Sequence, residues 1–302
     1  VGRFAGGKGA SPPGQLEGRL SVRLSYSKLN TYRQCPLRYR FTYVDRLPRR
    51  PRRLFRAARR IHHALMRWLT YSRTSQPRWE DVRAAYESAW GAVQDPTVTE
   101  ERDFQEGLQI LQEFHEANVD RPCRPVLLEH KFAVPLGPHV LVGALDRVDA
   151  TDSGYEVIDY KLDRELRTQE MVDEDLQLAL YHLALEEGQG ITPEALSLYF
   201  LRHNIQRTTT RTSKQSAELM KWVIATGDEI SRQREWRPCV GEQCVSCDFR
   251  AVCPAHTGEP LPPPTARPAE SGQLALALLE PGAPERHSPR VHSTEQLTLP
   301  LS

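Results

Sequence analysis

Residues 139–161, HVLVGALDRVDATDSGYEVIDYK, decide the reading of this chain. Segments 139–149 and 155–161 both carry the apolar alternation of strands, and Thr151-Asp152-Ser153-Gly154 between them is turn chemistry. If those four residues form the turn, Ala150 pairs with Tyr155. Counting back along the ladder, Asp146 then stands opposite Asp159. Directly opposed side chains lie about 5 Å apart at Cβ, and like charges there are destabilising. A divalent cation between them reverses that sign, because hard cations take carboxylate oxygens. Lys161 is two residues past Asp159 and so points to the same face. Two carboxylates and a lysine on one sheet face form a phosphoryl-transfer constellation. The competing reading is a charged, solvated face with surface ion pairs. A turn one residue shorter or longer would shift the pairing and separate the acids. Asp146 is also expected to share its face with Val142, Ala144 and Val148, where an acid is costly unless paired or metal-bound.

Upstream of the hairpin, residues 126–135 (VLLEHKFAVP) alternate like a further strand. Before them, 26–46 read as helical with a break at Pro36, 54–70 as an amphipathic helix, and 79–91 and 99–119 as two more helices. Downstream, 170–187 read as a helix stopped by Gly188, 195–202 as a strand and 213–235 as a long helix. Helices, a strand hairpin, a helix and a further strand predict an α/β sandwich with a helical insertion over 54–121. Residues 1–22 are rich in Gly, Pro and Ser and read as a flexible lead-in. Within them GRFAGGK, Gly2 to Lys8, approaches a phosphate-binding loop. It has Gly9 where Ser or Thr should follow, no preceding strand, and Pro12-Pro13 soon after, so that reading is set aside. From 258 to 302 Pro is frequent and periodicity fades, which predicts a disordered tail.

The 302 residues suffice for one large domain or two small ones. Hydrophobic content of 39% with 26% charged residues fits a soluble protein, and no apolar run reaches the length of a membrane span. The start lacks the apolar core of a signal peptide, so a cytoplasmic location is expected. The first residue is Val1 rather than Met, which fits a fragment, a processed form or a non-AUG start. The net charge of +1 hides an asymmetry: from Arg23 to Arg67 there are fourteen Lys or Arg and one acid, Asp45. A solvated helix face would intersperse acids, so the block reads as a footprint for nucleic acid.

Six cysteines punctuate the sequence: Cys35, Cys123, Cys239, Cys244, Cys247 and Cys253. The spacing Cys244-x2-Cys247-x5-Cys253 is that of metal ligands, whereas a disulfide framework does not suit a cytosolic chain of this size. Three clustered thiolates need a fourth ligand. Cys239 is the local candidate, giving a zinc knuckle, and Cys35 the distant one. Cys123 has no evident role.

The order Cys35-Pro36, His62, Gly143-x-x-Asp146, Asp159-Tyr160-Lys161, Gln177-x-x-x-Tyr181 and Cys244-x2-Cys247-x5-Cys253 resembles the PD-(D/E)XK nucleases. It is more similar still to their RecB/Cas4-like branch with an iron–sulfur cluster, found also in the nuclease domain of AddB. The resemblance spans about residues 24–256. It implies a restriction-endonuclease-like core, a central mixed sheet flanked by helices, over 23–257, with a C-terminal cysteine segment at 239–253. It implies that His62, Asp146, Asp159 and the Tyr160 carbonyl hold Mg²⁺ or Mn²⁺. Lys161 would position the attacking water and stabilise charge on the phosphorane. Gln177 and Tyr181, four apart on one helix face, would stand beside the metal, with Glu129 in a supporting place. Cys35 with Cys244, Cys247 and Cys253 would bind [4Fe–4S], tying the first helix to the C-terminal segment as a staple. Three departures are visible. Ala58 replaces the usual Gly four residues before the histidine. His63 adjoins His62, and only one of the two can face the site. Leu162-Asp163 stands where Thr-Gly usually follows the lysine.

Gln296-Leu297-Thr298-Leu299-Pro300-Leu301 resembles the short peptide with which bacterial replication and repair proteins bind the sliding clamp, and Gln273 to Leu278 is a poorer second copy. The reading that follows is a metal-dependent DNA nuclease, an exonuclease or end-processing enzyme on single-stranded ends, in repair, recombination or CRISPR-type processing. The alternatives are a non-catalytic, clamp-tethered DNA-binding factor and the nuclease part of a helicase–nuclease.

Overall fold

The structure, a computed structural model, describes residues 21–49, 53–72, 78–91, 97–121 and 123–260, all within one unit. Most of the lead-in expected over 1–22, nearly all of the tail expected over 258–302, and both clamp-like peptides lie outside the described residues. A short strand β1 (Arg23–Leu24) opens the fold. Helices α1 (Tyr26–Gln34) and α2 (Pro36–Tyr39) follow, and a π-helical turn, Arg40–Val44, completes this segment. The break falls at Cys35, whose extended backbone ends α1 and starts α2, with Pro36 at the first helical position. Then come α3 (Arg53–Ser72), α4 (Trp79–Trp90) and α5 (Val98–Asn118). Thr97 and Glu100 form a capping box at the start of α5.

Strands β2 (Pro125–Leu136), β3 (His139–Ala150) and β4 (Tyr155–Lys161) lead to α6 (Gln169–Asp173) and α7 (Leu176–Gln189). Strands β5 (Ala195–Phe200) and β6 (Ile205–Thr209), helix α8 (Ser213–Arg232) and the short α9 (Pro254–Thr257) complete the described fold. The sheet is mixed. β3 carries antiparallel β2 along one edge; its other edge is shared by parallel β1 at its start and antiparallel β4 at its end. β4 then pairs parallel with β5, and β5 antiparallel with β6.

The hairpin turn has the expected four residues. Ala150 pairs with Tyr155, and the ladder runs back through Val148 opposite Val157 to Arg147 opposite Ile158. Thr151 closes the turn, its amide donating to the Gly154 carbonyl at 2.9 Å and its hydroxyl accepting from the Gly154 amide at 2.9 Å. On one face, Val157, Leu196 and Leu198 pack against Leu178 and Leu185 of α7. On the other, Ile158, Tyr160 and Tyr199 pack against Ile61 and Leu65 of α3 and Phe114 of α5. A third cluster joins α1, α2, α8 and the start of β3.

Three expectations need correction. The helix predicted over 170–187 is two helices, because Asp175 adopts an extended backbone and caps α7, its carboxylate accepting the Leu178 amide at 2.9 Å. Aspartate favours that position over a helix interior. The helix also passes Gly188 and ends at Gly190, which takes the left-handed conformation. Gly188 is small for another reason: a Cβ there would meet the Val134 methyl at 2.8 Å, where α7 crosses β2. Finally, β1 and the exposed edge strand β6 were not predicted. β1 is only two residues long, and only Thr209 of β6 is buried, leaving no apolar alternation to read.

Candidate active site

The site forms where β3 and β4 part. Beyond Arg147 and Ile158 the ladder stops, and the Tyr160 amide donates instead to Asp146 Oδ2 at 3.1 Å. The expectation that Asp146 shares a face with Val148 is not met. Leu145 and Val148 sit in the same core cluster although three residues apart, so alternation slips by one between them. The slip has a counterpart across the ladder. Glu129 lies between Leu128, opposite Arg147, and His130, opposite Leu145, and its φ is 45°, a strained conformation for a residue with a side chain. With the alternation shifted, Asp146 turns towards α3, where His62 Nε2 stands 3.1 Å from Oδ1, and His62 Nδ1 lies 3.4 Å from Glu129. Neighbouring His63 is exposed.

Asp159 and Lys161 face α7. Asp159 is only 2% exposed. Its Oδ1 accepts from Gln177 and from the Tyr181 hydroxyl, each at 3.0 Å. Lys161 Nζ lies 2.6 Å from Asp159 Oδ2 and donates to Gln177 Oε1 at 2.7 Å, while the Gln177 amide also reaches the Tyr181 oxygen at 2.6 Å. The Asp175 cap fixes the start of α7 and hence both Gln177 and Tyr181; Arg167 holds Asp175 in turn at 2.9 Å. Tyr160 sends its ring the other way, and Arg147 Nη1 donates to its hydroxyl at 2.9 Å from a buried pair with Asp149. Sequence reading had given Arg147, Asp149, Arg167 and Asp175 no role. Of these, only Asp175 left a signal, a capping residue three before Leu178.

The charges constrain one another. Burial, opposed by Lys161 and reinforced by Asp146, raises the Asp159 carboxyl above its ordinary range. Burial works against the Lys161 ammonium, but Asp159 beside it raises that pKa overall. Burial likewise opposes protonation of His62, and the hydrogen bond to Asp146 with the charges of Asp146 and Glu129 overcomes it, so this pKa is also raised. The Tyr181 phenol is held protonated by burial and by Asp159.

Among the described residues, no group of three or more His, Cys, Asp or Glu side chains is arranged to hold a metal ion as it stands. The donors are engaged with one another. Asp159 Oδ2 and His62 Nε2 are buried, and each is met by a charged partner, Lys161 at 2.6 Å and Asp146 at 3.1 Å. An imidazole nitrogen with carboxylate oxygens suits a divalent cation.

The cysteines gather elsewhere. Cys35, Cys239, Cys244, Cys247 and Cys253 line one small cleft, and all six cysteines are free thiols. Cys35 Sγ accepts the amides of Arg38 and Cys239, both at 3.4 Å. Burial raises the Cys253 thiol, and Cys35, Cys247 and Cys244 nearby raise it further. Cys239 takes part through its backbone, its amide on Cys35 and its carbonyl on Cys244 Sγ. Cys123 lies outside this group. Two cations of the basic block serve packing instead: Arg40 is buried on Asp45 at 2.9 Å, and Arg60 lies 3.9 Å over the Trp90 ring.

A profile of the PD-(D/E)XK nuclease superfamily matches residues 23–254. The chain belongs to that superfamily. Its mixed sheet flanked by helices is the superfamily's fold. The chain is also similar to the crystal structure of a "Putative exonuclease" from Eubacterium rectale, at 12% identity over 81% of this chain and 91% of that one, with a TM-score of 0.48. A second similar structure, SSO0001, shares 13% identity over 66% of this chain and 85% of that one, with a TM-score of 0.30. No curated protein matches the sequence. Among the described residues, no helix is long and apolar enough to cross a membrane.

Proposed function

We propose that this protein is a metal-dependent DNA nuclease that degrades or trims single-stranded ends. The observation that carries the reading is buried Asp159, bound on one oxygen by Gln177 and Tyr181 and paired on the other with Lys161 at 2.6 Å. Asp146, Asp159, His62 and the Tyr160 carbonyl would hold Mg²⁺ or Mn²⁺, with Glu129 supporting through His62. The chemistry such an ion supplies is activation of a water and neutralisation of phosphoryl charge. Lys161, oriented by Gln177, offers its ammonium to the attacking water and to the charge developing on phosphorus. Gln177 and Tyr181 fix Asp159 Oδ1 and so aim Oδ2. The test is digestion of end-labelled single-stranded DNA with Mg²⁺ and Mn²⁺. Asp159→Ala and Lys161→Ala should each abolish degradation with an unchanged circular dichroism spectrum; full activity in both would sink the assignment.

The proposal includes a [4Fe–4S] cluster on Cys35, Cys244, Cys247 and Cys253, in the manner of the RecB/Cas4-like branch. Two amides on Cys35 Sγ support Cys35 over Cys239 as the fourth ligand, because they stabilise a thiolate. Iron and sulfide analysis after anaerobic purification separates this from a zinc knuckle. Docking of Gln296 to Leu301 on a sliding clamp, and a helicase partner, complete the proposal. The clamp interaction is checked by titrating a labelled peptide of that sequence with the clamp.

A further inference from the structure

Beside the site, a cleft of about 990 Å³ opens between the helical part and the sheet. Trp79 and Arg83 of α4, Arg102 and Phe104 of α5, Arg164 after β4, and Arg202 after β5 line it. Of its four arginines, Arg83 pairs with Glu87 and Arg202 with Glu106. Arg102 and Arg164 are exposed and have no ion pair among the described residues. A concave surface with unneutralised cations focuses a positive potential and draws polyanions. Trp79 and Phe104 are half-buried at the cleft wall, Phe104 stacked on Tyr86 at 5.4 Å and Trp79 beside the His115 ring at 6.0 Å. Aromatic rings between phosphate-binding cations stack on bases, and only unpaired bases present a free face.

The cleft also has a rigid link to the reacting end of the sheet. The Leu201 amide donates to the Lys161 carbonyl at 2.9 Å, and Arg202 Nε donates to the Leu162 carbonyl at 3.0 Å. The His203 ring meets the Arg164 carbonyl at 3.0 Å. The turn after β5 and the loop after Lys161 therefore form one wall that begins at the catalytic lysine. We infer that this cleft is the binding track for single-stranded DNA, Arg102 and Arg164 holding phosphates and Trp79 and Phe104 stacking bases, so that the strand is led towards Lys161. This inference rests on the nuclease reading for its direction, but the binding site stands on its own geometry.

The test is fluorescence anisotropy with labelled oligothymidylate of about twelve nucleotides, a length within common single-strand site sizes, in EDTA so that nothing is cut. A hairpin duplex of equal charge is the second probe. Arg102→Ala with Arg164→Ala should weaken single-strand binding roughly tenfold or more and make the log–log salt slope shallower by about 1.4, two contacts at ~0.7 each. Both residues are exposed, and an unchanged melting temperature shows that the variant folds. Binding within about twofold of wild type, or an equal loss for the duplex, overturns the cleft as a single-strand track. Wild-type protein that cuts with Mg²⁺ while its binding ignores the substitutions sinks the cleft alone. Wild-type protein that cuts nothing, yet loses single-strand binding in the variant, sinks the nuclease reading and supports the cleft.

Discussion

At Asp159, three side chains from two elements, Lys161 of β4 with Gln177 and Tyr181 of α7, converge on one carboxylate, and each has a separable part. Tyr181→Phe removes a single hydroxyl that donates to Oδ1, while Gln177 keeps its own bond there. One hydrogen bond to a charged group contributes about 1.5–3 kcal/mol, so kcat/KM should fall by roughly ten- to a hundredfold. Metal-dependent kinetics check this, and the melting temperature should move little. His182 offers a test outside the site. It is fully buried on α7, with neither ring nitrogen hydrogen-bonded among the described residues. Burial lowers its pKa; Glu186 at 3.7 Å opposes the shift and Arg211 adds to it. The folded pKa lies below the unfolded one, so between them the unfolded chain binds the extra proton. Stability is therefore present above about pH 6.5 and lost as pH falls below it, by up to ~1 kcal/mol per pH unit until the folded pKa is passed. Denaturant melts of wild type and His182→Leu between neutral and mildly acidic pH should show this component of the slope only in wild type. The sequence named Asp146, Asp159, Lys161, Gln177, Tyr181 and His62 as a set, but not their partners, because a hydrogen bond between α7 and β4 leaves no mark on local pattern.

Among the elements, the motif glycine Gly143 shows how a strand and a helix share one space. A Cβ there would meet the Phe132 ring at 2.5 Å, and that ring packs edge-on against Tyr181 with centroids 6.3 Å apart. Gly143→Ala should push Phe132 against Tyr181, costing about 1–3 kcal/mol of stability and lowering activity through Asp159. Thermal melts and kinetics on one preparation test whether the two losses travel together. Asp175→Ala should cost about 1–2 kcal/mol through the lost cap, with Gln177 and Tyr181 displaced at the head of α7, while Arg167 keeps its pair with Asp163. Elements with strong periodicity were legible: the hairpin, its four-residue turn and its register followed from alternation and turn residues. The split between α6 and α7 was not, because a cap inside an apolar-periodic run looks like one more polar position. The slip at Glu129 and Asp146 was also hidden, since a backbone irregularity spares the residue types on either side.

For the whole molecule, the ends of the described chain meet. Tyr39 stacks on Trp236 at 5.8 Å, Phe41 packs on Phe249 at 5.3 Å, and the Leu37 amide donates to the Arg237 carbonyl. This apolar clasp brings Cys35 to Cys253 across the whole core. If a cluster closes that loop, Cys35→Ser or Cys244→Ser should lower the melting temperature by about 10 °C, and Cys239→Ser far less. Equal shifts for Cys35 and Cys239 would reject the ligand set. By itself the sequence determined what depends on near neighbours: the strands, the turn that fixes register, the motif order and the clustered cysteines. Tertiary structure decided what depends on elements meeting. It turned Asp146 towards α3, brought Cys35 to the cleft that Cys239, Cys244, Cys247 and Cys253 line, and buried or stacked part of the basic block from Arg23 to Arg67. It also assembled a different basic cleft from arginines far apart in the chain. The physical reason is range: propensity and alternation act over a few residues, whereas burial, ion pairing and concavity arise only when distant segments pack.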